Sequence, residues 1–465
     1  MRNTTKRAYV LFALIAVFFI GFAILAVRFG MNGEKWATDV HNELLATTRV
    51  PSLYAKSTIT DRNGKMLFES DKDKGHNWSA DPTIRKATLH VVGDAGNIGS
   101  SILKQSKEII LEPTYTYDLV NGLQVTKVQE GDDVDRDIQL TIDADVCKAA
   151  YNAVLENADS DHGSIIAYNY KTGEVYCLTS LPSYDPKNPP KEPESGTYSN
   201  HALNERYAPG STFKIVTSIC AIENGMGDFT FRCTGSNPVG GKDINCYDKT
   251  KHGNLTIQTG LNKSCNGIFS QLAVELGVDK MTATLTHLGF FEPVEINGIK
   301  TKASNYAPDV TNKNLIGWSG VGQDKDLINP CQMMMLMGAI ANNGTAIIPT
   351  LINDPATMGT VNQNIRLDPQ IAKQMQTYLR SDVTAVYGDG YFPNMQFCAK
   401  SGTAQTGTKN QSHAWFVGFS LREDFPVAIV VCLEDLNKGM GGEVAKKAAS
   451  AVLNNLIKSP AFSNN

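Results

Sequence analysis

Ala208-Pro209-Gly210-Ser211-Thr212-Phe213-Lys214 sets the architecture expected of the whole chain. A serine follows a Pro-Gly turn, and Phe213, Ile215, Val216 and Ile219 recur behind it as a helix would bury them. On a helix, Ser211 and Lys214 share a face one turn apart. The helix N-terminus adds free N–H groups and positive potential where an oxyanion forms. A serine nucleophile served by a lysine base is built in this way. The motif alone is weak, because roughly one or two Ser-x-x-Lys matches arise by chance in a chain of this length. Ser101-Ile102-Leu103-Lys104 is one such decoy.

At 465 residues the chain exceeds one ordinary core, so two or three domains are expected. The hydrophobic fraction, 42%, is that of a globular protein. A net charge of -4 and the lack of a basic patch interleaved with aromatics exclude a general nucleic-acid binder. The nine cysteines are scattered with none in Cys-x-x-Cys spacing. That argues against a zinc ribbon or a thioredoxin-type site, and neither metal nor other cofactor is expected. An odd count also fits poorly with a fully bridged secreted scaffold.

Ala8 to Val27 carries no charge and is long enough to cross a bilayer as a helix. Arg2, Lys6 and Arg7 precede it, whereas Arg28, Glu34, Lys35 and Asp39 follow with mixed sign, which places the N-terminus inside. A cleaved signal peptide would have an apolar core of about 7–15 residues and a small-x-small site. This run is longer and shows no clear site. The expected organisation is a cytoplasmic tail (1–7), a transmembrane helix (8–28), a small β-rich pedestal for dimerisation or partner binding (29–136), and a catalytic domain (137–465).

Within the pedestal, residues 57–68 read as two strands around an Asn-Gly turn, and Leu89–Val92, Ile109–Leu111 and Leu123–Val128 as short β-like runs. Asp143 is expected to open a helix. Two strands follow, Gly163–Tyr170 and Glu174–Ser180. Helices are expected over Ser264–Leu276 and Pro330–Ala341, with Met333–Met337 as core filling. Three late strands (396–400, 414–419, 426–433) and an amphipathic terminal helix complete an α+β domain: a five-stranded antiparallel sheet flanked by helices.

Two further motifs come in order after Ser211: Ser264-Cys265-Asn266 at a helix start and Lys400-Ser401-Gly402-Thr403 at a strand end. Their bland readings are an N-cap and a strand-to-turn exit. Lys171-Thr172-Gly173 and Ser463-Asn464-Asn465 are decoys, a hairpin turn and the chain end. Together the three resemble the signature of penicillin-recognising acyl-serine transferases. Asp61-Arg62-Asn63-Gly64, Leu140-Thr141-Ile142-Asp143, Pro182-Ser183-Tyr184-Asp185-Pro186, Tyr207-Ala208, Gly322-Gln323 and His413-Ala414-Trp415-Phe416-Val417-Gly418-Phe419 narrow this to class B penicillin-binding proteins.

That resemblance implies a membrane-anchored peptidoglycan D,D-transpeptidase that β-lactams acylate. Ser211 is then the nucleophile, and Lys214 its base if burial and a second cation, Lys400, depress its pKa. Ser264 shuttles a proton to the leaving amine, and Asn266 fixes Lys214 or the substrate amide. Lys400, Ser401 and Thr403 hold the terminal carboxylate of a D-Ala-D-Ala stem peptide. The Ser211 and Thr403 amides form the oxyanion hole, with Gly402 admitting the substrate strand. No glycosyltransferase segment precedes residue 140, so a polytopic glycan polymerase is implied as partner. A D,D-carboxypeptidase or β-lactamase lacks reason for an anchor and pedestal; a sensor would need a cytoplasmic output for which seven residues leave no room. His252 and His413 read as structural. A disulfide between Cys233 and Cys246 and two free thiols remain equally open.

Overall fold

Two short β-prone runs on either side of the Asp61-Arg62-Asn63-Gly64 turn fold back on each other as β1 (Ser57–Thr60) and β2 (Met66–Asp71). The computed structural model describes residues 11–12, 14–24, 27–28, 57–71, 75–94, 96–105, 115–118, 124–127, 137–406, 411–437 and 441–463. Asp61 accepts from the Asn63 and Lys65 amides and fixes the turn. β3 (Gly75–Trp78) extends the hairpin. Then comes α1 (Pro82–Val92), started by Asp81, whose carboxylate accepts from the Thr83 and Ile84 amides, and by Pro82 at its first position. Leu89–Val92, expected as a β-like run, is therefore the last turn of a helix: the capping signal upstream outweighs the β propensity of Val91 and Val92. Ile109–Leu111 lies outside the described residues, whereas Gln124–Lys127 does pair with Tyr115–Asp118.

β4 (Ile138–Gln139) joins β1 in parallel, giving a sheet ordered β3-β2-β1-β4. The 136/137 boundary thus falls between strands of one sheet. Asp143 caps α2 (Ala144–Asn157) through the Asp145 and Val146 amides.

The main sheet begins with β5 (Gly163–Asn169) and β6 (Val175–Leu181), both buried along their whole length. Between this hairpin and the C-terminal strands lie α3 (Lys214–Glu223), α4 (Asn266–His287, kinked at Gly277), α5 (Pro330–Ala341) and α6 (Pro369–Asp382). The chain then adds β7 (Phe397–Gln405), β8 (Gln411–Ser420), β9 (Val427–Asn437) and α7 (Gly442–Leu456). All five strands are antiparallel in the order β7-β8-β9-β5-β6, so β7 is an edge. α2 and α7 pack together on one face; α5 and α6 cover the other. Helices on both faces explain why the central strands bury both sides. Met333–Met337 is buried in α5, as core filling requires.

Residues 1–53 form a separate unit. Residues 11–12, 14–24 and 27–28 are helical there, with exposed apolar side chains such as Phe12 and Phe18. Among the described residues no helix is long and apolar enough to cross a membrane. The expected 8–28 span is therefore not shown, since residues 8–10, 13 and 25–26 lie outside the described set.

Candidate active site

Trp415 on β8 donates from Nε1 to the Ala208 carbonyl at 2.9 Å and pins the chain just before Ser211. The Gly210–Phe213 segment is a single 3-10 turn that runs directly into α3. Gly210 takes φ 53, and a Cβ there would lie 2.5 Å from the Thr403 carbonyl oxygen. A Cβ on Gly402 would in turn lie 2.8 Å from the Pro209 oxygen. Two glycines therefore let the serine turn and edge strand β7 touch backbone to backbone.

Lys214, on the first turn of α3, is fully buried. Its Nζ lies 2.9 Å from Ser211 Oγ, 2.8 Å from the Ser264 carbonyl oxygen, 3.2 Å from Ser264 Oγ and 2.8 Å from Asn266 Oδ1. The Ser264 carbonyl and Asn266 Oδ1 only accept, so they take two N–H groups. A neutral amine then directs its lone pair at a serine hydroxyl. Burial, and secondly the charge of Lys400, bring the Lys214 pKa down to about 7.

Ser264 does not begin the helix as expected. α4 starts at Asn266 behind Cys265, and Ser264 sits at φ 46, a left-handed conformation that costs about 1–3 kcal/mol in a non-glycine residue. The left-handed residue turns both its carbonyl and its hydroxyl onto Lys214. Asn266 donates from Nδ2 to the Asn245 carbonyl at 2.8 Å, which orients Oδ1 toward Lys214. The contact with Lys214 is one of the two expected of Asn266.

Lys400-Ser401-Gly402-Thr403 is not a strand exit either, because β7 continues to Gln405. Lys400 is buried. Its Nζ donates to Tyr387 Oη at 3.4 Å and lies 3.7 Å from Asp382 Oδ2. Burial lowers the Lys400 pKa, but Tyr387 and Asp382 outweigh it and the net shift is upward. Burial also pushes the Asp382 carboxyl up to about 6, against the pull of Lys400. Two lysines share this interior, and the acidic partner selects Lys400 to carry the charge. Sequence reasoning missed Asp382 and Tyr387: one ends α6 and the other follows it, with no spacing that ties them to Lys400. Tyr387 Oη also accepts from the Ser401 amide at 2.9 Å and lies 3.0 Å from Ser401 Oγ. Thr403 is exposed, and its Oγ1 accepts from the Gly442 amide at 3.3 Å.

The other candidates separate from this cluster. His413 packs edge-on against Tyr207, which lies 2.8 Å from His201, itself paired with Glu434 at 2.7 Å. That network underlies the segment entering Ala208, which Tyr207 ties to Ile328 through an isolated antiparallel bridge. Cys233 and Cys246 sulfurs are 3.6 Å apart, unbridged, with His252 beside them.

Residues 163–454, more than half of the chain, match the penicillin binding protein transpeptidase domain. The peptidoglycan D,D-transpeptidase PbpA of Mycolicibacterium smegmatis is 27% identical over 334 residues, 64% of this chain and 67% of the relative. Penicillin-binding protein 3 of Bacillus subtilis is 25% identical over 382 residues, 75% of this chain and 55% of the relative. Penicillin-binding protein A from M. tuberculosis, solved as an acyl-enzyme complex, superposes with a TM-score of 0.73 at 21% identity, over 87% of this chain and 98% of that one.

Proposed function

The chain belongs to the penicillin-binding protein transpeptidase family and is a class B D,D-transpeptidase, and on that premise we propose that Ser211 is its acylated nucleophile. The observation that carries this is Lys214 Nζ at 2.9 Å from Ser211 Oγ, buried and held near neutrality. Neutral Lys214 takes the Ser211 proton as Oγ attacks the carbonyl between the two D-Ala residues of a stem peptide. The Ser211 and Thr403 amides receive the oxyanion. Lys214 returns the proton through Ser264 Oγ to the departing D-Ala amine. Asn266 keeps the lysine in place, and Lys400, Ser401 and Thr403 bind the terminal carboxylate. Gly402 leaves the β7 edge open for the substrate backbone to add as a further strand. A second stem-peptide amine then attacks the ester and completes the cross-link; a β-lactam acylates Ser211 in place of the donor peptide.

The same proposal assigns residues 1–7 to the cytoplasm, 8–28 to a membrane anchor, 29–136 to a pedestal and 137–465 to the extracytoplasmic transpeptidase domain. The uncharged run from Ala8 to Val27 supports the anchor. The pedestal docks a polytopic glycan polymerase, which supplies the strands to be cross-linked. Fluorescent penicillin tests the chemistry: wild-type protein should keep the label for many minutes, and Ser211→Ala should take none. Persistent labelling of Ser211→Ala would place the nucleophile elsewhere.

A further inference from the structure

Four soft or borderline ligands converge next to the middle motif: Cys233, Cys246, His252 and Cys265. Their ligand atoms all lie within 4.8 Å of one another, and all three cysteines are buried. Cys233 ends a short strand, Thr230–Cys233, which pairs with Gly253–Thr256 and so brings His252 opposite. Cys246 closes the neighbouring hairpin of Ser236–Val239 with Lys242–Asn245, and its amide donates to the Gly235 carbonyl at 2.9 Å. Cys265 arrives from the loop before α4.

The distances discriminate between a bridge and a coordination sphere. A disulfide needs its sulfurs about 2.05 Å apart. Two thiolates at about 2.3 Å from a tetrahedral zinc stand about 3.8 Å apart, and a thiolate and an imidazole nitrogen about 3.6 Å. The structure has Cys233 Sγ–Cys246 Sγ at 3.6 Å, Cys246 Sγ–Cys265 Sγ at 3.7 Å and Cys233 Sγ–His252 Nδ1 at 3.5 Å. Three edges of the polyhedron thus have the lengths of a zinc tetrahedron. The surroundings suit thiolates: the Gly235 amide donates to Cys233 Sγ at 3.4 Å, and Asn237 Nδ2 approaches Cys233 and Cys246 at 3.8 and 4.0 Å.

We propose that Cys233, Cys246, His252 (through Nδ1) and Cys265 bind one structural zinc ion, which staples the two hairpins to the Ser264–Asn266 segment. Three thiolates and a neutral imidazole close the tetrahedron and leave no position for water, so the ion is not catalytic. Its effect reaches the chemistry by position. Cys265 lies between Ser264 and Asn266, and Asn245, which holds the Asn266 amide, precedes Cys246. The ion fixes both flanks of the groups that face Lys214. The inference rests on the four side chains and holds whichever serine is acylated.

Elemental analysis of the full-length chain, purified without chelator, should find one zinc per chain. Thiol titration after denaturation with chelator should find all nine cysteines reduced. His252→Ala should lose most of the metal, and His252→Cys should retain it. Cobalt replacing zinc should give thiolate charge-transfer bands and the intense visible bands of a tetrahedral site, a readout that needs no variant to fold. Less than a tenth of an equivalent of any metal in the wild type would overturn the proposal, whether the thiols are then free or bridged. Full metal content in a folded His252→Ala would overturn the ligand set.

Discussion

Burying two lysines in one interior sets a protonation order, and that order has consequences on both function and stability. Lys214 titrates at about 7, so the free amine grows as pH rises through that value. The acylation rate by a β-lactam should climb through the same window and level off above it; a flat profile from pH 6 to 8 would remove Lys214 as base. In Lys400→Gln the neighbouring charge is gone, Lys214 holds its proton more tightly, and the acid limb should move to higher pH. For stability the sign is set by a folded pKa below the ordinary lysine value of 10.5. The unfolded chain then binds more protons between about 7 and 10.5, so the destabilisation is full below 7 and relieved as pH rises. Lys214→Met should therefore melt higher than wild type at pH 6, with the gain shrinking toward pH 10, while losing penicillin labelling. Of these residues Ser211 and Lys214 were legible because their relation is local, three positions on one turn. Asp382 was not: an aspartate closing a helix has no pattern that points to a lysine on a distant strand.

At the scale of elements, the contact between the serine turn and β7 depends on two missing side chains. Gly402→Ala inserts a carbon 2.8 Å from the Pro209 oxygen, and the strand must retreat. A shift approaching 1 Å costs about 100-fold in rate. Acylation of Gly402→Ala should fall by roughly that factor while the protein stays folded; an unchanged rate would show that the turn moves with the strand. The strand itself was misjudged at its end. From Ser401 onward polar and small residues alternate, with Gly402 and Ala404 buried and Thr403 and Gln405 exposed, which is the period of an edge strand rather than a turn. Helix α1 was misjudged because the β-branched residues of its last turn drew more weight than Asp81 and Pro82 at its start. The cysteine cluster escaped for a different reason: its ligands are separated by twelve, five and twelve intervening residues, and hairpin pairing, not a short motif, assembles them.

At the scale of the molecule, residues 57–71 and 75–92 are built into the core that also holds Phe213 and Ile215, on either side of Lys214. Ile59, Phe68, Ile84 and Val91 share one buried cluster with Ile142, Val146 and Leu178. Arg62–Glu174 and Arg85–Asp185 ion pairs add to the joint. A chain cut at 137 would expose that surface, and it should melt several degrees below one beginning at 54; equal melting temperatures would show that the two parts are independent. Phe68→Ala should cost about 3–5 kcal/mol in urea unfolding of the longer chain. The strand order carries a further consequence, for biogenesis. The centre of the main sheet, β9, arrives last, yet Ile429 pairs with Ala167 and β7 must lie beside Gly210 before Lys400 reaches Lys214. Such non-local pairings form late, after the intervening chain has been made. A nascent chain that already contains Ser211 and Lys214 is consequently inert until its final strands dock. Antibiotic capture during synthesis should appear as a step at completion of the chain, not as a ramp that follows its growth.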